Sequence, residues 1–393
     1  MKIKRLLVSV AAASAFAALP ATGQDIRIGA NLPMSGPNAE YGELLSSAAA
    51  IAIEHANADK MLSKKLVMVI EDSQATPQQG VVAMNKLVSV ENVPYVLSAF
   101  TGVSKAIAPV GDKAKVVSVN GGGIGPDLAE LGDYFWNVIP LVNLEVQALT
   151  PYLVKERGLK KFALLYVDDP AGEAIKKELD IHVPKNGGTM VSSQQVPRAS
   201  QQFAGIAAKV REAQPDVVFI ASFGTQQAQI VKQLRDNGVK QQLVGYSAFS
   251  SPTITKLPEA KGALFPSQDV NWDGDAISKR LARDWKAKKN KEPNAYVANY
   301  YNAVMVFVMV GDHRAIVGAV GYVTVDEEIG LPLIPETQPR TRFGRVGFHV
   351  IAIKVLVSSR GPPAHVGWSI LVDAVVGTGS LVPVCVVDGY EKH

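Results

Sequence analysis

Cysteine is almost missing from this chain: Cys385 is the only one in 393 residues. With no intramolecular partner for it, no disulfide framework holds the fold. An excess of one charge is missing too, with 40 Lys and Arg against 36 Asp and Glu. A nucleic-acid groove needs a concentrated basic face. The densest basic group, Lys286, Lys288, Lys289 and Lys291 after Trp285, reads as the solvated end of one helix. Long apolar runs are scarce. Segments 303–310 and 366–387 are too short, or are broken by Asp373, Gly and Pro, and read as core rather than as membrane spans. Neither nucleic acid nor a membrane-spanning role is expected.

What is present begins at the first residues. Lys2, Lys4 and Arg5 precede an apolar run from Leu6 to about Leu19, and Pro20-Ala21-Thr22-Gly23 leads into Gln24-Asp25-Ile26. A basic start, a short apolar centre and small residues at the join make a secretory signal peptide over residues 1–23. Its removal leaves 370 residues and lowers the formal net charge from +4 to +1. No cysteine follows the apolar run, so N-terminal lipidation has no attachment point. A soluble protein of the periplasm is expected, large enough for two lobes.

From Asp25 onward, strand-like runs alternate with helix-length segments. Strands are predicted at 26–30, 66–70, 95–99, 116–119, 162–167, 190–194, 217–221 and 243–246. Helices are predicted near 39–58, 77–90, 103–113, 144–157, 172–182, 201–213, 226–237, 276–289 and 295–309. That alternation implies an α/β fold with parallel sheets covered on both faces. Extended passages at 134–140 and 262–272 interrupt it and suggest two lobes joined by more than one crossover. The expected division is residues 24–139 plus about 270–345 for lobe 1, and 140–269 plus a C-terminal segment for lobe 2. The tail 311–393 is atypical: Lys354 and Lys392 are its only lysines, it holds four of the six histidines, and helical periodicity fades. A divergent segment and a shifted reading frame both fit it.

Two loops that follow strands carry the best site signals. Ser98-Ala99-Phe100-Thr101-Gly102-Val103-Ser104 opens a helix whose first turn offers free N–H groups, with the hydroxyls of Thr101 and Ser104 beside them. In Asn120-Gly121-Gly122-Gly123-Ile124-Gly125-Pro126, glycines allow close approach to the main chain. Pointed at one cavity, the pair would receive a carboxylate; ordinary strand-to-helix turns are the alternative reading. Aromatics recur at presumed cleft edges: Tyr41, Phe100, Phe223, Phe249 and Trp272. Such rings suit the apolar body of a small anionic ligand.

Catalytic constellations are not evident. Glu71-Asp72 and Asp168-Asp169 end strands, where capping and rim solvation account for them. His55 and His182 lack metal-ligand spacing. Gly245-Tyr246-Ser247-Ala248-Phe249 lacks the second glycine of a nucleophile elbow. Gly121-Gly122-Gly123 misses the dinucleotide fingerprint, and no Walker lysine is present. Neither a cofactor, a metal nor enzymatic activity is expected.

Taken together, certain segments resemble the periplasmic solute-binding proteins of branched-chain amino acid ABC transporters. They are Ile28-Gly29-Ala30-Asn31-Leu32-Pro33-Met34-Ser35-Gly36-Pro37 with Tyr41-Gly42, Glu71-Asp72-Ser73, Tyr166-Val167-Asp168-Asp169 with Gly172, Pro215-Asp216-Val217-Val218, and Ala295–Ala303. The likeness spans roughly residues 24–308. It implies two Rossmann-like three-layer lobes with a multi-strand hinge (type I periplasmic binding protein), here bending at about 138–142 and 263–271. Such a protein is a monomer that closes on a solute and docks to a membrane permease. By the resemblance, Thr101, Gly102, Gly122, Gly123 and Ile124 hold a ligand carboxylate with Tyr41 nearby, and the other lobe contributes Asp169, Phe223, Ser247 and Phe249. Two departures bear on the ligand: Ala171 stands where amino acid binders carry an aromatic, and no acidic residue lies in 247–249 to meet an ammonium. An aromatic or aliphatic acid, or an amide, therefore fits as well as an amino acid. A ligand sensor feeding a signalling receptor is the alternative reading, and a periplasmic enzyme a more distant one.

Overall fold

The computed structural model describes residues 24–268, 270–310 and 384–386. The leader 1–23 and, apart from Val384–Val386, the tail from 311 lie outside the described residues. The first sheet contains β1 (Ile26–Leu32), β2 (Leu66–Asp72), β3 (Tyr95–Ser98), β4 (Val117–Asn120) and β5 (Phe135–Asn137). Helices α1 (Ala39–Ala58), α2 (Pro77–Ser89) and α3 (Thr101–Ala114) connect them. The chain then crosses to a second sheet through α4 (Val142–Pro151). That sheet holds β6 (Lys161–Val167), β7 (Thr189–Val196), β8 (Val217–Ala221), β9 (Gln242–Gly245) and β10 (Leu264–Pro266). Its connections are α5 (Pro170–Lys185), α6 (Ala204–Ala213), α7 (Gly224–Asp236) and the short α8 (Pro252–Thr255). Then α9 (Ala276–Lys289) and α10 (Ala295–Val310) return to pack on α1, and β11 (Val384–Val386) pairs antiparallel with β10.

Each strand sorts its side chains between two helical layers, because successive residues point to opposite faces. On β3, Tyr95 and Leu97 enter the core shared with α1 and α10, while Val96 enters the one shared with α2 and α3. On β8, Val217, Phe219 and Ala221 face the α4 and α5 side, and Val218 and Ile220 face α6 and α7. Hydroxyls fix the last helix to the first sheet: Tyr95 donates to the Ala303 carbonyl at 2.6 Å and Tyr300 to the Ser98 carbonyl at 2.5 Å.

Both sheets have the same parallel order, β2-β1-β3-β4-β5 and β7-β6-β8-β9-β10. In each, the chain leaves the first strand toward one side and returns on the other. The connections after β1 and β3, and after β6 and β8, therefore diverge and leave a crevice at the carboxyl ends of the strands. The two crevices face one another. Between the sheets the chain passes at 138–141 and again at 267–275.

Candidate functional site

The facing crevices enclose one cavity. Its walls are Tyr41, Leu45, Ala99, Phe100, Thr101, Gly122, Ile124 and Tyr296 from the first lobe, and Ala171, Phe223, Tyr246 and Ala248 from the second. Rings meet edge to face across it: Phe100 lies 5.3 Å from Phe223 and 5.8 Å from Tyr41, and Tyr41 lies 6.2 Å from Tyr296. The free volume is about 30 Å³, room for only one or two waters. A larger guest must spread these rings, and they belong to opposite lobes.

Helix α3 supplies the polar floor. Phe100 precedes it with φ 65° and ψ 131°, a backbone conformation that costs a non-glycine residue on the order of 1–3 kcal/mol and clusters at ligand sites. The amides of Thr101, Gly102 and Val103 find no acceptor among the described residues, as expected for a first helical turn. Thr101 is buried, and its Oγ1 accepts from the Ile124 and Gly125 amides, each at 3.1 Å. The Gly122 and Gly123 amides donate to Asn120 Oδ1 at 3.2 and 2.6 Å. The glycine loop thus spends these donors on Asn120 and on Thr101 of α3. Only the α3 turn keeps its own.

Across the cleft, contacts tie the lobes together. Thr225 donates to the Pro37 carbonyl at 3.3 Å, Ser251 to Glu40 Oε1 at 3.0 Å, and Arg198 to the Ala75 carbonyl at 2.9 Å. Gly224, with φ +60°, presses its Cα face against Asn38.

Of the expected site residues, Tyr41, Phe100, Thr101, Gly122, Ile124 and Phe223 line the cavity. Gly102 faces Pro170 and Pro77 at the lobe boundary. Ser104 is a correction: it is fully buried and bonds Ser98 Oγ at 2.8 Å. Gly123 faces Asn120 and the Phe100–Thr101 backbone rather than the cavity. Phe249 is the clearest correction. It passes beneath Gly245, where a Cβ would stand 2.0 Å from its ring, and joins Phe265 in the core on the opposite face of the second sheet. Trp272 packs at the edge of the core and does not line the cavity. Asp169 caps α5 by accepting from the Gly172 amide at 2.8 Å; burial pushes its carboxyl up, opposed by that bond and by Arg198. Asp72 holds the first loop, accepting from the Met34 amide at 2.8 Å and the Ser35 hydroxyl at 2.5 Å.

Tyr246 and Tyr296 stood within segments singled out by sequence, but their part in the wall was missed. Glu145 on α4 had no local signal at all. It is 4% exposed, and its Oε2 accepts from the Ser247 amide at 3.0 Å. Burial pushes its carboxyl up to about 7, with the Ser247 bonds opposing. Ser247 Oγ lies 3.5 Å from the Tyr296 hydroxyl.

Nucleophile, base and orienting partner do not come together around the cavity, and the described residues hold no His, Cys, Asp and Glu cluster arranged for a metal. The profile of the periplasmic binding protein family matches residues 25–313. The chain belongs to that family. Relatives of this binding protein include Leu/Ile/Val-binding protein homolog 3 of Brucella melitensis, 27% identical over 79% of this chain and 85% of that one. Leu/Ile/Val-binding protein BraC3 of Rhizobium johnstonii is 25% identical over 78% of this chain and 83% of its own. Among solved structures, the isoleucine complex of the branched-chain amino acid binding protein LivJ from Streptococcus pneumoniae superposes with a TM-score of 0.67 at 22% identity, covering 76% of this chain and 85% of that one. A solute-binding protein from R. palustris in complex with 4-hydroxybenzoate gives 0.67 at 20% identity over 75% and 84%. The fold is that of type I periplasmic binding proteins, two α/β lobes. No helix among the described residues is long and apolar enough to cross a membrane.

Proposed function

We propose that this binding protein captures a small carboxylate-bearing solute outside the cytoplasm, in the periplasm, and delivers it to an ABC permease. The observation that carries this reading is the single cavity at which the switch-point loops of both sheets meet, floored by the unpaired amides at the start of α3. A carboxylate there gains charge-assisted hydrogen bonds and the favourable end of the helix dipole. Its apolar body lies among Phe100, Phe223 and Tyr246. Bound solute then bridges the lobes and makes the closed form dominant, with bending at 138–142 and 263–271. The protein acts as a monomer and breaks no bond.

Binding partners named for its neighbours, isoleucine and 4-hydroxybenzoate, define the two ligand classes to compare. A thermal-shift screen of the protein from residue 24 onward, against amino acids, aromatic acids, aliphatic acids and amides, tests the reading. At a ligand concentration 100 times Kd, the folded state gains about 2.7 kcal/mol, which raises Tm by several degrees. No shift with any carboxylate of either class contradicts the assignment.

A further inference from the structure

Tyr41 is 6% exposed, lines the cavity, and carries a hydroxyl that completes no hydrogen bond. A buried polar group left this way loses the water it would otherwise bond, with nothing in return. Burial, with the charge of Glu40 adding to it, pushes the phenol up. The hydroxyl therefore keeps its proton at any working pH and stands as a donor. Two groups of the second lobe approach its oxygen, the Gly224 amide and the Ser251 hydroxyl. The Ser251 proton already goes to Glu40 Oε1 at 3.0 Å. The Gly224 amide is the first of α7, directly after the wall residue Phe223, and finds no other acceptor among the described residues.

Two donors, one from each lobe, thus converge at the cavity. No Asp, Glu, Asn or Gln stands in the wall to accept from them. The remaining side-chain oxygen of the floor, Thr101 Oγ1, is taken by the Ile124 and Gly125 amides. When the lobes part, water can serve both donors. Closing over a ligand expels that water, so the pair stays unmet unless the ligand brings an oxygen of its own. A site built in this way rejects analogues that lack the matching group. Charge decides which oxygen fits. Glu40 already works against negative charge at the phenol, and the wall has no Lys or Arg to offset a second carboxylate. A neutral oxygen meets the donors without that conflict.

We propose that Tyr41 is a specificity-determining residue: with the Gly224 amide it receives a neutral acceptor oxygen, of a ketone, carboxamide or hydroxyl, carried by the ligand in addition to its carboxylate. This rests on the binding function above and narrows its ligand to oxygen-bearing carboxylic acids. Plain aliphatic and aromatic acids leave both donors unmet and bind more weakly.

The test is calorimetry at pH 7 with two pairs of probes, each pair differing by one group of similar size. One pair is 4-oxopentanoate and 4-methylpentanoate; the other is 4-hydroxybenzoate and 4-methylbenzoate. The expected result is about 10- to 100-fold tighter binding of the oxygen-bearing member in at least one pair. In Tyr41→Phe that preference falls to a few-fold, because the Gly224 amide alone remains. The same variant controls for folding. Its missing hydroxyl has no partner in the unliganded protein, so Tm is expected to stay level or rise. A lower Tm would show the hydroxyl already partnered and overturn the proposal. Equal or tighter binding of both methyl analogues by the wild type overturns it, as does a preference that Tyr41→Phe keeps in full; either result leaves the solute-binding function standing. No binding by any of the four also overturns the proposal, and the wider screen then decides the function separately.

Discussion

Gly224→Leu should weaken ligand binding by on the order of 10- to 100-fold while leaving both lobes folded. The position sits at the start of α7 with φ +60°, and a Cβ there would stand 2.5 Å from Asn38 Oδ1 and 3.3 Å from the Pro37 carbonyl on the other lobe. Left-handed backbone costs a residue with a Cβ about 1–2 kcal/mol, whether the lobes are together or apart. The overlap with Asn38 exists only when they are together. Leucine at 224 therefore penalises the closed form selectively, and ligand affinity falls by the fraction of competent molecules lost. Calorimetry measures the affinity, and small-angle scattering shows whether added ligand still contracts the protein. Asn38→Ala in the same chain removes the nearest colliding atom and should restore part of the affinity, a coupling that independent sites would not show. Unchanged affinity in Gly224→Leu would mean that ligand binding does not bring these surfaces together.

Thr101→Val is the second large effect, and it falls on stability as well as on binding. The substitution preserves shape but removes the oxygen that accepts from both the Ile124 and Gly125 amides. Each buried donor left unmet costs about 1–3 kcal/mol, so a loss of about 2–4 kcal/mol in urea unfolding is expected. The glycine loop then loses its anchor on α3, and ligand affinity drops with it. Thr101→Ser keeps the acceptor and should stay near wild type in both measurements. A Thr101→Val protein as stable as wild type would show that the loop is held by something other than this hydroxyl.

Much of the framework was legible because apolar period and punctuation agree. The helices expected at 39–58 and 276–289 occupy Ala39–Ala58 and Ala276–Lys289, and the strand expected at 217–221 is β8. The segment expected as one helix over 144–157 instead ends as α4 at Pro151 and continues through Glu156 as a π-helical turn. Pro151 has no N–H with which to extend the α-helical ladder. Half of the site was legible for a related reason: a strand end that opens a helix in a parallel sheet points to the cleft, which found Phe100, Thr101 and Phe223. Phe249 failed because its side chain enters the core with Phe265 instead of the cleft, and no periodicity reports which face a side chain enters after a strand has ended. Glu145 failed differently. It meets Ser247 across 102 residues of sequence, and its helix reads locally as an ordinary crossover.

The account depends most on where the ligand's carboxylate rests. A structure of the protein bound to the tightest ligand from the screen measures this directly. The prediction is a carboxylate oxygen within about 3 Å of the Thr101 or Gly102 amide, with Phe100 and Phe223 parted around the ligand's apolar body. A ligand seated elsewhere, such as the surface groove between Lys105 and Asp133, with the α3 amides untouched, would contradict it.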